Sequence, residues 1–339
     1  MRLALENPML GFDESERSAL LAAIVVHDAA TPAFAHLFEY FLTDRFEWDH
    51  ESAIPDLLSE GGDVDRLSTQ IYFSKTPQFE RLCKAAKIDF AIVMAIIRGQ
   101  HPLSRLVFGS IDFDNLDNVA RMNWMLGHSV DRQRILSIAG NLGAGTDVGL
   151  TLPETEKSNL GYWLDLRRQA YEVLVFDAPT VSAQAVLSKA IRRGLEEGDL
   201  GLQDWTYADH EMIDALRDSS LDNKKMLDND FLGPLPNLCM LYHFQDTDHA
   251  AFSMGRDELV ALIEQFMKEK GVSGRVYGYS FRDKGAFSKR IEAFDPRNGQ
   301  TWTLGEKSNS LVVYGFTSKH GRYDPSEAGR CFADWITSL

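Results

Sequence analysis

The sequence predicts a mainly α chain, with a helical body over residues 1–222 and a smaller α+β part over 223–339. Two observations carry this prediction. Apolar residues recur at helical spacing through most of the first two thirds, and from about residue 237 the pattern changes to period two with β-rich composition. A third, the stretch 223–233 just before that change, sets the boundary.

Taken in order, residues 1–7 read as the last turns of a helix closed by Pro8 and Gly11, with no N-terminal cap of their own. Asp13-Glu14-Ser15-Glu16 opens a helix with acids at its positive end, and 19–26 is its apolar body. The Thr31-Pro32 turn closes that region, because a residue before proline is pushed out of the helical conformation. A second amphipathic segment carries His36 and Glu39, and 53–58 is a short helix broken by Gly61-Gly62. Residues 79–98 have one helical periodicity, and 92–97 are apolar all round, which predicts burial. Next comes a helix with a polar stripe of Asp114, Asp117, Asn118 and Arg121, while Leu116, Val119 and Met122 point elsewhere. Acids at a helix start stabilise it whether or not they bind anything.

Residues 140–145 are glycine-rich, but no strand precedes them and no Lys-Ser/Thr follows, so an inter-helix loop is expected rather than a phosphate loop. Residues 160–195 form a long helical stretch broken near Pro179, carrying Arg167, Arg168 and Tyr171. Those arginines fit either a bidentate phosphate clamp or a solvated basic face. An amphipathic helix covers 205–216. Strands are expected at 238–244, 275–281, 290–294, 301–304 and 311–316, with helices at 257–270 and 325–336 and a hairpin turn at 295–299. His101, His128, His210 and His320 are read as structural, capping or surface residues, and Asp246, Asp248 and His249 as an Asp-rich turn.

Composition bounds the function. With 35 basic against 50 acidic residues the net charge is −15, which argues against a protein that coats nucleic acid but leaves room for a local basic pocket. The three cysteines, Cys83, Cys239 and Cys331, lie far apart and form no CxxC, so neither a disulfide framework nor a zinc ribbon is expected and a reducing cytoplasm fits. No apolar run approaches the roughly 18 residues of a membrane span.

Chemistry concentrates in residues 22–51, AAIVVHDAATPAFAHLFEYFLTDRFEWDHE. His27 and Asp28 are adjacent, and neighbours on a helix do not share a face. They can hold one cation together only at a helix end, which the Pro32 turn supplies. Imidazole and carboxylate suit a borderline divalent ion. His36 and Glu39, three apart, share a face, and His50-Glu51 follow.

The HDxxTPxFxHxxE run, the WDHE that follows it and the later IDFDNLDNVAR together resemble the HD-domain phosphohydrolases, nearest within that superfamily to the deoxynucleoside triphosphate triphosphohydrolases. The resemblance spans about the first 193 residues and thins in the last third to the EKSNSLVVYGF strand and overall organisation. It implies an all-helical HD domain that binds one divalent metal ion (Mn, Fe, Co, Zn or Mg) through His27, Asp28 and Asp114. By the same likeness His36, Glu39 and His50 surround the scissile phosphate, and Arg121 and Tyr171 line the nucleotide pocket, with Arg167 beside them. The activity implied is cleavage of a dNTP to deoxynucleoside and tripolyphosphate by a cytoplasmic homo-oligomer with no membrane partner.

Four departures keep a second reading open. Thr31 stands where the family has another histidine, Asn115 and Asn118 replace a lysine and a tyrosine, and Asp177 stands where a histidine is common. The family's first metal-binding histidine lies well upstream of His27, so the chain is expected to begin inside the element that bears it. The alternatives are a phosphodiesterase or phosphatase on another nucleotide, and a degenerate HD fold that binds nucleotide or a partner without turnover. The cyclic-dinucleotide branch is disfavoured, since its GYP signature is absent.

Overall fold

A computed structural model describes residues 6–7, 11–58, 78–145, 147–245, 247–283, 289–306, 309–319 and 321–338. The expected glycine break at 61–62, Asp246, His320 and most of the 1–7 segment lie outside the described residues. The fold is mainly α, with small sheets. No helix among the described residues is long and apolar enough to cross a membrane.

The chain divides into two compact units, residues 1–170 with 288–307, and residues 171–287 with 308–339. This division differs from the one drawn on composition at residue 222. Two of the late strands belong with the first unit, and the helices at 178–226 belong with the second.

The first unit contains α1 (Glu14–Val26), α2 (His36–Phe46), α3 (His50–Leu58), α4 (Gln78–Ala86), α5 (Phe90–Ile97), α6 (Phe113–Met125) and α7 (Arg132–Asn141). The first part of α8 (Lys157–Phe176) also belongs to it. Helix α1 starts on a capping box in which Asp13 accepts from Glu16 N and Glu16 accepts from Asp13 N. The single helix expected over 79–98 is two helices. Lys87 turns into the left-handed region (φ 58°) and Asp89 caps the new start by accepting from Ala91 N and Ile92 N. Val93, Met94, Ile96 and Ile97 of α5 are buried, as all-round apolarity requires.

The glycine-rich 140–145 segment is not a plain loop. Gly143–Gly145 (β1) pairs antiparallel with Gly149–Thr151 (β2), and β2 pairs parallel with Ile291–Asp295 (β5), which pairs in turn with Gln300–Leu304 (β6). Three contacts tie the early hairpin to the late one. Leu152 N donates to Phe294 O, Glu154 N donates to Asp295 Oδ2, and buried Trp302 donates through Nε1 to Leu152 O.

In the second unit Asn237–Phe244 (β3), Leu311–Thr317 (β7) and Val276–Arg282 (β4) form an antiparallel sheet in the order β3-β7-β4. Every residue of β7 is buried. Ala178–Glu197 (α9) packs on β3 and β4, while Arg256–Glu269 (α12) and Pro325–Thr337 (α13) also pack on the sheet. Between α9 and the sheet the chain forms α10 (Asp209–Ser219) and α11 (Leu221–Met226). A Cβ on Gly329 of α13 would stand 2.1 Å from Leu241 O, so this helix reaches β3 only because that residue is glycine.

Asp177, noted above as a departure from the family pattern, has a structural task. It caps α9, accepting from Thr180 N and Thr180 Oγ1, with Pro179 in the first turn. Asp177→Ala is therefore expected to lower stability by about 1 kcal/mol in urea unfolding at neutral pH. The Thr180 hydrogen bonds hold this carboxyl below its ordinary 3.8, so the stabilisation is present above that pH and is lost as pH falls through the lower folded value. The gap between wild type and variant closes at acid pH.

Candidate active site

Helix α1 ends at Val26, and His27 and Asp28 occupy the turn that follows. His27 is largely buried, and its Nδ1–H donates to Ile24 O at 2.8 Å, which leaves Nε2 as the lone-pair nitrogen. That Nε2 lies 3.3 Å from Asp28 Oδ2, while Asp28 Oδ1 lies 3.6 Å from His50 Nε2. Asp28 thus joins the end of α1 to the start of α3. The contact with the His50 imidazole, working against burial and helped by the other nearby imidazoles, holds the Asp28 carboxyl below its ordinary value.

The turn from Pro32 to His36 is strained. Phe34 and Ala35 both have positive φ, 56° and 51°, a region that side chains with a Cβ rarely adopt. Such strain, of order 1–3 kcal/mol per residue, persists only where the surroundings enforce it. Here it brings α2 in so that His36 and Glu39 face His50.

Glu39 is the centre of this group. One carboxylate oxygen meets His36 Nδ1 at 2.6 Å, and the other meets His50 Nδ1 at 2.5 Å and accepts from His50 N at 3.0 Å. Burial would raise Glu39, but the two imidazoles overcome it and hold the carboxyl well below the usual carboxylate range. Burial likewise opposes the charge on His50, and hydrogen bonds to Asp28 and Glu39 outweigh it, so His50 is pushed up to about 10. His36 is raised chiefly by its hydrogen bond to Glu39. Both imidazoles are therefore cation-prone, and each directs its Nε2 away from Glu39.

Helix α6 supplies the other wall. Asp112 caps it, accepting from Asn115 N and Nδ2, both at 2.7 Å. Asp114 accepts from Asn118 Nδ2 at 2.5 Å, and Arg121 bonds Asn118 and pairs with Asp117 at 3.4 Å, so the predicted stripe is one connected chain. Burial raises the Asp114 carboxyl, and the charges of His27 and Asp28 both act on it. The two segments predicted to share a cation thus face one electrostatic environment.

The donor atoms of His27, Asp28 and Asp114 are not gathered within 4.8 Å of one another. Among the described residues His36, Glu39 and His50 are the group that is. In that group each Glu39 oxygen already accepts an imidazole hydrogen bond, so a cation there would have to displace them. Glu39 is thereby committed to fixing two rings.

Arg167 is buried on α8, and Asn123 Nδ2 holds that helix to α6 through Leu166 O at 2.8 Å. Its Nη1 donates to Asn115 Oδ1 at 3.2 Å, so it is part of the built interior and not a solvated basic face. Lys289, which nothing in the sequence singles out, feels the charges of Arg167 and Asp112. Burial and the Arg167 charge push its ammonium down to about 8 against the pull of Asp112. Arg168 is exposed and pairs with Asp165. Tyr171 belongs to the second unit. A cleft of about 520 Å³ lies next to His50 in sequence and in space, lined by Glu51, Ser52, Ser104, Arg105 and Phe108, whose ring meets that of His27 edge-on at 6.1 Å. The Ser104 hydroxyl is buried without a hydrogen-bond partner, as is that of Thr31.

Three further histidines have structural contacts. His101 accepts from Leu103 N, His128 pairs with Asn123 Oδ1 at 2.9 Å, and His249 caps a short helix at Ala251.

No family model matches the chain. An uncharacterized Bacillus subtilis protein, YwfO, is 25% identical over 193 residues, which is 56% of this chain. The chain spans only 40% of that relative's length. Two crystal structures share the fold. One is a phosphohydrolase from Bacteroides thetaiotaomicron, 18% identical, with a TM-score of 0.53 over 92% of this chain and 84% of that one. The other is a hypothetical protein from Aquifex aeolicus, 13% identical, with a TM-score of 0.57 over 99% of this chain and 83% of that one.

Replacing Glu39 tests the organising contact. Glu39→Gln leaves the buried imidazole of His50 with Asp28, 3.6 Å away, as its remaining anion, and is expected to cost about 3 kcal/mol in urea unfolding. Ala substitution of the exposed partner, His36, is expected to cost under about 1 kcal/mol.

Proposed function

We propose that the chain is a metal-dependent phosphohydrolase that acts on a nucleotide, with a dNTP as substrate and deoxynucleoside and tripolyphosphate as products. The observation that carries the reading is the imidazole-carboxylate chain His36–Glu39–His50–Asp28, which ends beside His27 and faces the Asp114 wall. That the phosphohydrolase from Bacteroides thetaiotaomicron shares the fold supports the reaction class.

His27 Nε2, Asp28 and Asp114 offer the nitrogen and oxygen donors that Mn, Fe, Co, Zn or Mg accept, and they would hold the ion. When bound, such an ion lowers the pKa of water and polarises a phosphoryl oxygen. Glu39 fixes both rings through Nδ1 and so aims two Nε2–H groups. The charged His50 neutralises developing phosphate charge, and His36, the more exposed of the pair, gives its proton to the leaving oxygen. Arg121 and Arg167 hold phosphate oxygens. Cytoplasmic location and homo-oligomerisation belong to the same reading.

Binding without turnover is the second reading, favoured by Thr31, whose buried, unpartnered hydroxyl replaces an imidazole. Phosphate and tripolyphosphate release from a panel of dNTPs, NTPs and cyclic dinucleotides, with the ions supplied singly, separates the two. The proposal expects release from dNTPs, loss of bound metal and turnover in His27→Ala and Asp114→Ala, and a fall in kcat of about 10²–10⁴ in His36→Ala. Stoichiometric nucleotide binding with no release under any ion supports the second reading.

A further inference from the structure

Two aspartates stand at the start of α6 and are used differently. Asp112 is buried and both its oxygens accept from Asn115, so its carboxylate is taken up by capping. Asp114 is half-buried, and its Oδ2 accepts from Asn118 Nδ2 at 2.5 Å, one turn further along the same helix. That contact leaves Oδ1 for another partner.

Asn118 is held in its turn. Its Oδ1 accepts from Arg121 Nη2, and the same nitrogen lies 3.4 Å from Asp117 Oδ2. A carboxylate on one side and a guanidinium on the other fix which way the amide points. Only one orientation gives the anion a donor and the cation an acceptor. The contacts join residues three and four apart on one helix of 13 residues, so they need no packing from elsewhere. Both Arg121 contacts use Nη2, which leaves Nη1 and Nε to a phosphate.

We propose that Asn118 is a positioning residue for the metal site: it holds one oxygen of Asp114 so that the other meets the ion, and Arg121 keeps its amide turned that way. The inference rests on the metal-dependent reading of the site. A carboxylate that is itself hydrogen-bonded is oriented before the ion arrives, and removing such an outer partner typically weakens metal binding about 10–100-fold. Arg121 separates this relay from simple charge. By charge alone, removing a cation near Asp114 tightens the binding of another cation. Through the relay, its removal frees the amide to turn, and binding weakens.

Mn²⁺ alone, titrated into the full-length chain at pH 8 with the free ion followed by electron paramagnetic resonance, tests it. The expected result is that Asn118→Leu weakens Mn²⁺ binding about 10–100-fold and Arg121→Met about threefold or more, with the double variant no weaker than Asn118→Leu. Leucine is the better helix former, so the loss does not come from a weaker helix. Wild-type affinity in Asn118→Leu overturns the relay, and so does unchanged or tighter binding in Arg121→Met. A further loss on adding Arg121→Met to Asn118→Leu overturns it too. Arg121 is exposed, so its variant decides the matter where Asn118→Leu does not fold. A wild-type chain that binds no ion removes both the relay and the metal-dependent reading. Normal Mn²⁺ binding in Asn118→Leu removes the relay alone. Binding that depends on Asn118, with no dNTP turnover, leaves the relay standing while the hydrolase reading falls.

Discussion

Glu39 decides what this site can be. One buried carboxylate receives the Nδ1 atoms of His36 and His50 at 2.6 and 2.5 Å and the main-chain N–H of His50 as well. Those three contacts join the start of α2 to the start of α3 and leave both rings with Nε2 outward. Through His50 they extend to Asp28, and so to the end of α1. The strained residues Phe34 and Ala35 make sense in this light, since they are the turn that lets α2 begin at His36. Without Glu39 one ring would be a solvated imidazole and the other a buried one with no carboxylate on its Nδ1. With it they are two oriented, cation-prone groups on one wall.

Perturbed ionisation by itself does not mark chemistry in this protein. The second unit holds groups shifted as strongly as any in the first. Exposed Arg275 and buried Tyr277, both raised, bond to Asp230, and Lys189 pairs with Glu264 at 2.7 Å and donates to Val276 O. Each of these is paired and lies in the packing of α9 and α12 on the sheet, where it fixes the position of β4. What separates the first unit is convergence. His27, Asp28, His36, Glu39, His50 and Asp114 come from four helix ends and still act on one another. A structural pair has no need for four further partners.

The local parts of this arrangement were legible in the sequence. The sequence placed a turn between the apolar run and Pro32, where His27 and Asp28 do fall, and three-residue spacing puts His36 and Glu39 on one face. The stripe from Asp114 to Arg121 is likewise a local periodicity. The non-local parts were not. Gly143–Gly145 has no strand propensity and becomes β1 only because β2 is held by β5, some 140 residues later. The same distant pairing carries Lys289 into the first unit, and no pattern near residue 289 announces it. The division of the late strands between two sheets escaped composition for the same reason, since all five read as β-rich. Lys87 breaks the helix expected over 79–98 by a left-handed turn that a lysine does not advertise.

A single cation shared by segments far apart in sequence is the claim on which the functional account rests. Anomalous diffraction from crystals of the full-length protein soaked in Mn²⁺ measures it directly. The account predicts one strong peak at coordination distance, about 2 Å, from His27 Nε2 and from the carboxylates of Asp28 and Asp114, with those three donors drawn closer together than they stand here. A peak seated on Glu39 between the two imidazoles, with Asp114 outside its coordination sphere, would contradict it, and so would a crystal with no ordered ion at saturating metal.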